Sequence, residues 1–100
     1  MRVHLATRDL LFASKLRAVA RSANAEIVPE PASGDVAVVP LDAPDAADKI
    51  RLLVARGVVV LAFGPHVHAD ALRAARDAGA LAVPNSEVAE RLAVLLRGAR

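Results

Sequence analysis

The first nine residues read Met1-Arg2-Val3-His4-Leu5-Ala6-Thr7-Arg8-Asp9, and this stretch decides the fold. An apolar run, Val3–Ala6, passes into a polar turn, and an amphipathic helix leaves from Asp9. Two further apolar runs, Val36–Val39 and Val58–Leu61, also end in polar turns that open helices. Strands that hand over to helices in this way gather their carboxyl ends along one edge, where open α/β sheets place their sites. Here that edge carries Thr7, Arg8, Pro40 and Val83.

Working outward, Asp9 is placed to cap the first helix, because its carboxylate accepts from free N–H groups of the first turn. That helix is expected to reach about Ser22, with Phe12, Leu16, Val19 and Ala23 spaced for one buried face. Asn24 supplies a left-handed end. Glu26–Val28 reads as a weak strand stopped by Pro29 and Pro31, with Gly34 in the turn before Val36–Val39. Pro44 suits the first turn of a helix capped by Asp42 or Ala43, which turns Ala47, Ile50, Leu53 and Val54 inward and ends at Gly57. Val58–Leu61 is the purest strand and is expected at the centre. Gly64–His68 reads as a loop, Ala69–Ala78 as a helix, and Leu81–Val83 as the last strand, closed by Pro84. A final helix starts at Ser86 with Val88, Leu92 and Leu95 inward.

Alternating strands and helices imply a parallel sheet covered on both faces. Right-handed crossovers make it doubly wound. The expected fold is a five-stranded α/β sheet of the flavodoxin-like doubly wound class, with order 2-1-3-4-5 and residues 1–100 as one domain. One link is too short for the pattern. Only Pro29–Gly34 joins strands two and three. Six residues reach about 20 Å, which returns the chain along a short sheet without a helix.

The composition bounds the function. Apolar residues make up 55% of the 100, so the chain folds around a core. Alanine takes 23 positions and Phe12 and Phe63 are the only aromatics, so that core is thin. No cysteine is present, which excludes disulfides, thiolate metal sites and thiol nucleophiles. No apolar run reaches the roughly 18 residues of a membrane span. Met1 leads straight into a strand, so no signal peptide is expected, and a cytoplasmic location follows. The net charge of +2 hides a strong alternation. Residues 1–25 hold five bases and one acid, residues 26–48 six acids and no base, and residues 49–100 eight bases and four acids. Alternation of this kind suits head-to-tail or self-association at least as well as one nucleic-acid patch.

With the strands placed, the chain resembles the receiver domain of bacterial response regulators over nearly its whole length, minus the second helix. The resemblance rests on Leu5-Ala6-Thr7-Arg8-Asp9, on Asp35-Val36-Ala37-Val38-Val39-Pro40, and above all on Ala78-Gly79-Ala80-Leu81-Ala82-Val83-Pro84. More narrowly, Ala6–Leu10 and Phe63–Val67 are similar to degenerate receiver-like proteins with Ala-Thr-Arg-Asp-Leu and Phe-Gly-x-His-Val stretches. In receivers an acidic pair after strand one holds magnesium, and the matching residues here are Thr7 and Arg8. The phosphoacceptor aspartate falls on Pro40, the strand-five lysine on Val83, and the strand-four hydroxyl near Ala62 or Phe63. Asp42 lies two residues past the phosphoacceptor position. The resemblance thus implies the fold and argues against phosphotransfer, leaving a pseudo-receiver used for binding.

Each candidate site has a plainer reading beside it. Asp9 and Asp42 flank the strand ends and with a histidine resemble an oxygen-rich cation site, but both stand where helix caps belong and Arg8 sets a fixed cation next to them. His66 and His68 have metal-ligand spacing, yet on an extended segment they point to opposite sides, and capping of the next helix is the expected role. His4 lies alone in a strand. No phosphate-loop glycine pattern follows a strand, and no Ser, His and Asp stand in attack register. Arg17, Arg21, Arg97 and Arg100 are expected to share a face, which without interleaved aromatics reads as solvated rather than as a nucleic-acid surface.

The expected function is a non-enzymatic protein-interaction module without cofactor or metal. The alternative is a small-ligand or divalent-metal protein whose crevice is lined by Thr7, Arg8, Asp9, Pro40, Asp42, Phe63, His66 and Val83. The missing helix is expected to uncover apolar runs Val3–Ala6 and Val36–Val39, with Ile27 beside them. An open apolar face marks an interface, so a twofold homodimer is expected. A monomer results instead if the helix after strand three slides across the gap.

Overall fold

The computed structural model describes residues 1–98. Strands β1 (Arg2–Leu5), β2 (Glu26–Ile27), β3 (Val36–Pro40), β4 (Val59–Gly64) and β5 (Leu81–Pro84) form one parallel sheet in the order β2-β1-β3-β4-β5. Helices α1 (Leu10–Ser22), α2 (Ala46–Ala55), α3 (Ala69–Asp77) and α4 (Val88–Gly98) complete the α/β architecture. The doubly wound, CheY-like order read from the sequence is the observed one.

Alternation along the strands divides the core into two layers. Val3, Val36, Val38, Leu61, Phe63 and Val83 face α1 and α4, meeting Leu16, Ala20, Val88 and Leu92. Ala37, Val39, Val60, Ala62 and Ala82 face α2 and α3, meeting Ile50, Leu53, Leu72 and Ala75. The first layer holds the bulkier strand residues. The second relies more on alanine, at Ala37, Ala62 and Ala82. The rings of Phe12 and Phe63 lie 5.1 Å apart and tilted, tying the first turn of α1 to the end of β4; such a pair adds about 0.5–1.5 kcal/mol beyond its buried area.

Several expected boundaries move. β4 continues past Leu61 through Phe63 and Gly64, because β5 pairs with it as far as Gly64–Pro84. α2 begins only at Ala46, after Asp45, whose side chain makes no capping bond. Pro44, Asp42 and Ala43 therefore belong to the preceding loop, and Ala46 rather than Ala47 is buried beside Ile50 and Leu53. A 3-10 turn, Asn85–Glu87, precedes α4, so the last α-helix starts at Val88 rather than Ser86. His68 stands at the N-cap of α3, but its side chain makes no capping bond.

No α-helix separates β2 from β3; a single 3-10 turn, Pro31–Ser33, does. The open apolar face expected from this is not there. Val3, Val36, Ala37, Val38 and Val39 are all buried within one chain. The reason lies in the register. The large side chains of β1 point to the α1 side, leaving Arg2 and His4 on the uncovered side. His4 is half-buried, its Nδ1 3.1 Å from the Val28 carbonyl, and the 3-10 turn rests on β1. Only Ile27 of the named residues stays exposed, at 37%. The sheet face thus supplies no ground for a dimer.

Three left-handed residues end the helices: Asn24 (φ 57), Gly57 (φ 83) and Gly79 (φ 102). At Gly57 an added Cβ meets nothing within 4 Å, whereas at Gly79 it falls 2.9 Å from Val54 Cγ1. Gly57→Ala should therefore cost only the left-handed penalty, about 1–2 kcal/mol. Gly79→Ala should cost at least about 1 kcal/mol more, since Val54 must give way. Urea unfolding of the two variants measures the difference.

Candidate functional site

The carboxyl ends of β1 and β3 and the start of α2 enclose a crevice of about 380 Å³. Its β1 wall is Ala6–Asp9. The Asp9 carboxylate accepts from the N–H groups of Leu11 at 2.9 Å and Phe12 at 3.3 Å. Thr7 Oγ1 accepts from the Asp9 N–H at 3.2 Å. This wall is thus held by a helix cap, and Asp9 uses its oxygen on α1. The β3 wall is Val39 and Pro40, followed by Asp42 and Ala43. From α2 come Asp45 at the cap and Lys49 one turn on.

Of the residues read as the crevice, Thr7, Arg8, Asp9, Pro40 and Asp42 do come together there. Phe63, His66 and Val83 do not. Phe63 is buried against Phe12, and Val83 is buried in the layer under α1 and α4. His66 is exposed in the loop after β4. Leu41 explains the separation. Its N–H donates to the Phe63 carbonyl at 2.9 Å, and its side chain lies over Gly64, closing the end of β4. Sequence reading missed Asp45 and Lys49, because it started α2 too early. Their spacing of four places both on one helical face, a signal available once the helix start is known.

The crevice mixes signs: Asp9, Asp42 and Asp45 stand with Arg8 and Lys49. Among the described residues no three His, Cys, Asp or Glu side chains converge as a metal site requires. His66 and His68 therefore lack a third ligand there. A larger cavity, about 710 Å³, opens at the opposite edge of the sheet, lined chiefly by apolar residues including Val36, Val58, Val94 and Leu95. It lies at the strand amino ends, away from the edge that serves as a site in open α/β sheets. α1 and α4 lie side by side, and Arg17, Arg21 and Arg97 are exposed on them; Arg100, named with them above, lies outside the described residues.

No family model matches the chain, and no curated protein matches it. Among solved structures, the chain is similar to the crystal structure of HP1043, an orphan response regulator of H. pylori. The superposition has a TM-score of 0.72 at 15% identity and covers 100% of this chain and 97% of that one. At this identity the likeness establishes a shared fold, the receiver-type five-stranded sheet.

The two acids of the β1–β3 crevice are structurally unequal. Asp9→Ala removes a working cap and should lower stability by about 1 kcal/mol. Asp42→Ala, at an exposed loop position, should change it by less than about 0.5 kcal/mol. Denaturant titrations read both values.

Proposed function

We propose that the chain is a non-enzymatic, receiver-like protein-interaction module, serving signalling or assembly without being phosphorylated on aspartate. The observation that carries this reading is Pro40. It ends β3, paired with Phe63, at the position where the receiver resemblance sets the phosphoacceptor. Proline offers no oxygen to accept a phosphoryl group. Two further positions of the resemblance point the same way. Arg8 puts a permanent cation where a receiver holds magnesium with an acid, and Val83 puts a buried methyl pair where a receiver has a lysine. The fold shared with HP1043, itself called a response regulator, supports the signalling part. Among the described residues no helix is long and apolar enough to cross a membrane, and the chain has no cysteine; both are compatible with a cytoplasmic setting.

A second reading rests on the crevice itself. About 380 Å³ lined by Thr7, by Arg8 and Lys49 and by Asp9, Asp42 and Asp45 offers a hydroxyl and both signs of charge to a small polar ligand. His66 has no part in it, so His66→Ala should leave any such binding unchanged.

Beryllofluoride with magnesium mimics an aspartyl phosphate. Adding it should leave the amide spectrum of the protein unchanged, and acetyl phosphate should leave its mass unchanged. Stoichiometric shifts centred on Ala6–Asp9 and Val39–Asp45, or a mass gain of one phosphoryl group, would overturn the proposal.

A further inference from the structure

We infer that the partner is a second copy of this chain, bound head-to-tail, with the outer face of α1 seated in the groove between the Pro31–Ser33 turn and α2. The inference rests on the interaction-module reading and names its partner. The groove, about 390 Å³, occupies the side of α2 next to the short β2–β3 connection. Its apolar part is Pro31, Leu53 and Leu52, the last 65% exposed. Glu30, Asp45 and Asp48 border it at the amino end of α2, while Lys49 and Arg56 border it further along. Asp48 makes an exposed ion pair with Arg51. Glu30 and Asp45 make none among the described residues.

The complement stands on α1. This helix carries Lys15, Arg17 and Arg21 and no acid, and among the described residues none of the three cations is in an ion pair. Its inner face is Ala13, Leu16 and Ala20. Helical spacing then lines Leu10, Ser14, Arg17 and Arg21 along one outward ridge and Leu11, Lys15 and Ala18 along the next. Leu10 and Leu11 are 83% and 84% exposed, an unusual placement for two adjacent leucines at a helix start.

The two surfaces also match in spacing. Along α1, Leu10 lies about 10 Å from Arg17. Along α2, Leu52 lies about 6 Å from Asp48 and about 10 Å from Asp45. An antiparallel α1 therefore sets its leucines on Leu52 and its arginines on the acids, and keeps its cations away from Arg56. α1 covers one face of the sheet and α2 the other. Helix and groove of one molecule thus point in different directions, which makes the contact heterologous and able to propagate. The charges steer the encounter and the leucines hold it.

Sedimentation equilibrium tests this. At low salt the mass of the unmodified protein should rise from 10.4 kDa with loading and pass the dimer. Half-molar salt should weaken association about tenfold or more. Arg17→Glu/Arg21→Glu removes the helix surface and Glu30→Gln/Leu52→Gln removes the groove without making it complementary to the altered helix; all four positions are exposed, and circular dichroism checks the fold. Each variant alone should stay monomeric. Their equimolar mixture should form a one-to-one pair and nothing larger, because one keeps only a groove and the other only a helix. Leu10→Ser should weaken self-association independently of charge. Monomers at every loading of the unmodified protein, undiminished association of either double variant, or a mixture that fails to pair would each overturn the inference. The crevice shares Asp45 and Lys49 with the groove, but none of the substituted positions lines it, so the beryllofluoride test is read independently of these results.

Discussion

A parallel sheet must be covered on both faces, and this chain has only six residues, Pro29–Gly34, with which to cover β1 on one of them. The rest of the structure accommodates that constraint. β1 keeps its large apolar side chains, Val3 and Leu5, on the face that α1 and α4 cover. It turns His4 to the other face, where a polar ring meets the Val28 carbonyl instead of leaving an apolar gap. A single 3-10 turn then suffices where receivers have a helix. The space between that turn and α2 stays open as a groove edged by Glu30, Asp45 and Asp48.

The same economy shapes the crevice at the strand ends. Its one well-placed carboxylate, Asp9, is occupied in holding α1. Arg8 and Lys49 offset much of the charge of Asp42 and Asp45. The side chain of Pro40 provides neither a nucleophile nor a ligand. The crevice is thus a polar hollow of mixed charge at the strand carboxyl ends.

Much of this was legible in the residues. Five apolar runs alternating with helical periodicity, together with the handedness of crossovers, pointed to a doubly wound sheet, and the order 2-1-3-4-5 expected for it is the observed one. Asp9 and Asn24 announced the ends of α1 by their chemistry alone. Local signals misled where tertiary contacts decided. Gly64 reads as a loop glycine, but pairing with Pro84 keeps it in β4. Pro44 reads as a first-turn proline, but the loop from β3 delays α2 to Ala46. Leu41 separates Phe63 and His66 from the crevice through a packing contact with Gly64 that no spacing rule encodes. The expected open face failed for a similar reason: whether β1 needed a cover depended on which of its residues faced the gap.

The central claim, which the proposed function depends on, is that the strand-end crevice does not hold a divalent cation. Paramagnetic manganese tests it most directly, since a bound ion broadens nearby amide signals selectively. Titration with manganese should broaden the spectrum weakly, with no preference for the crevice. Selective, saturable loss of the amide signals of Ala6–Asp9 and Val39–Asp45, reversed by magnesium, would contradict the account.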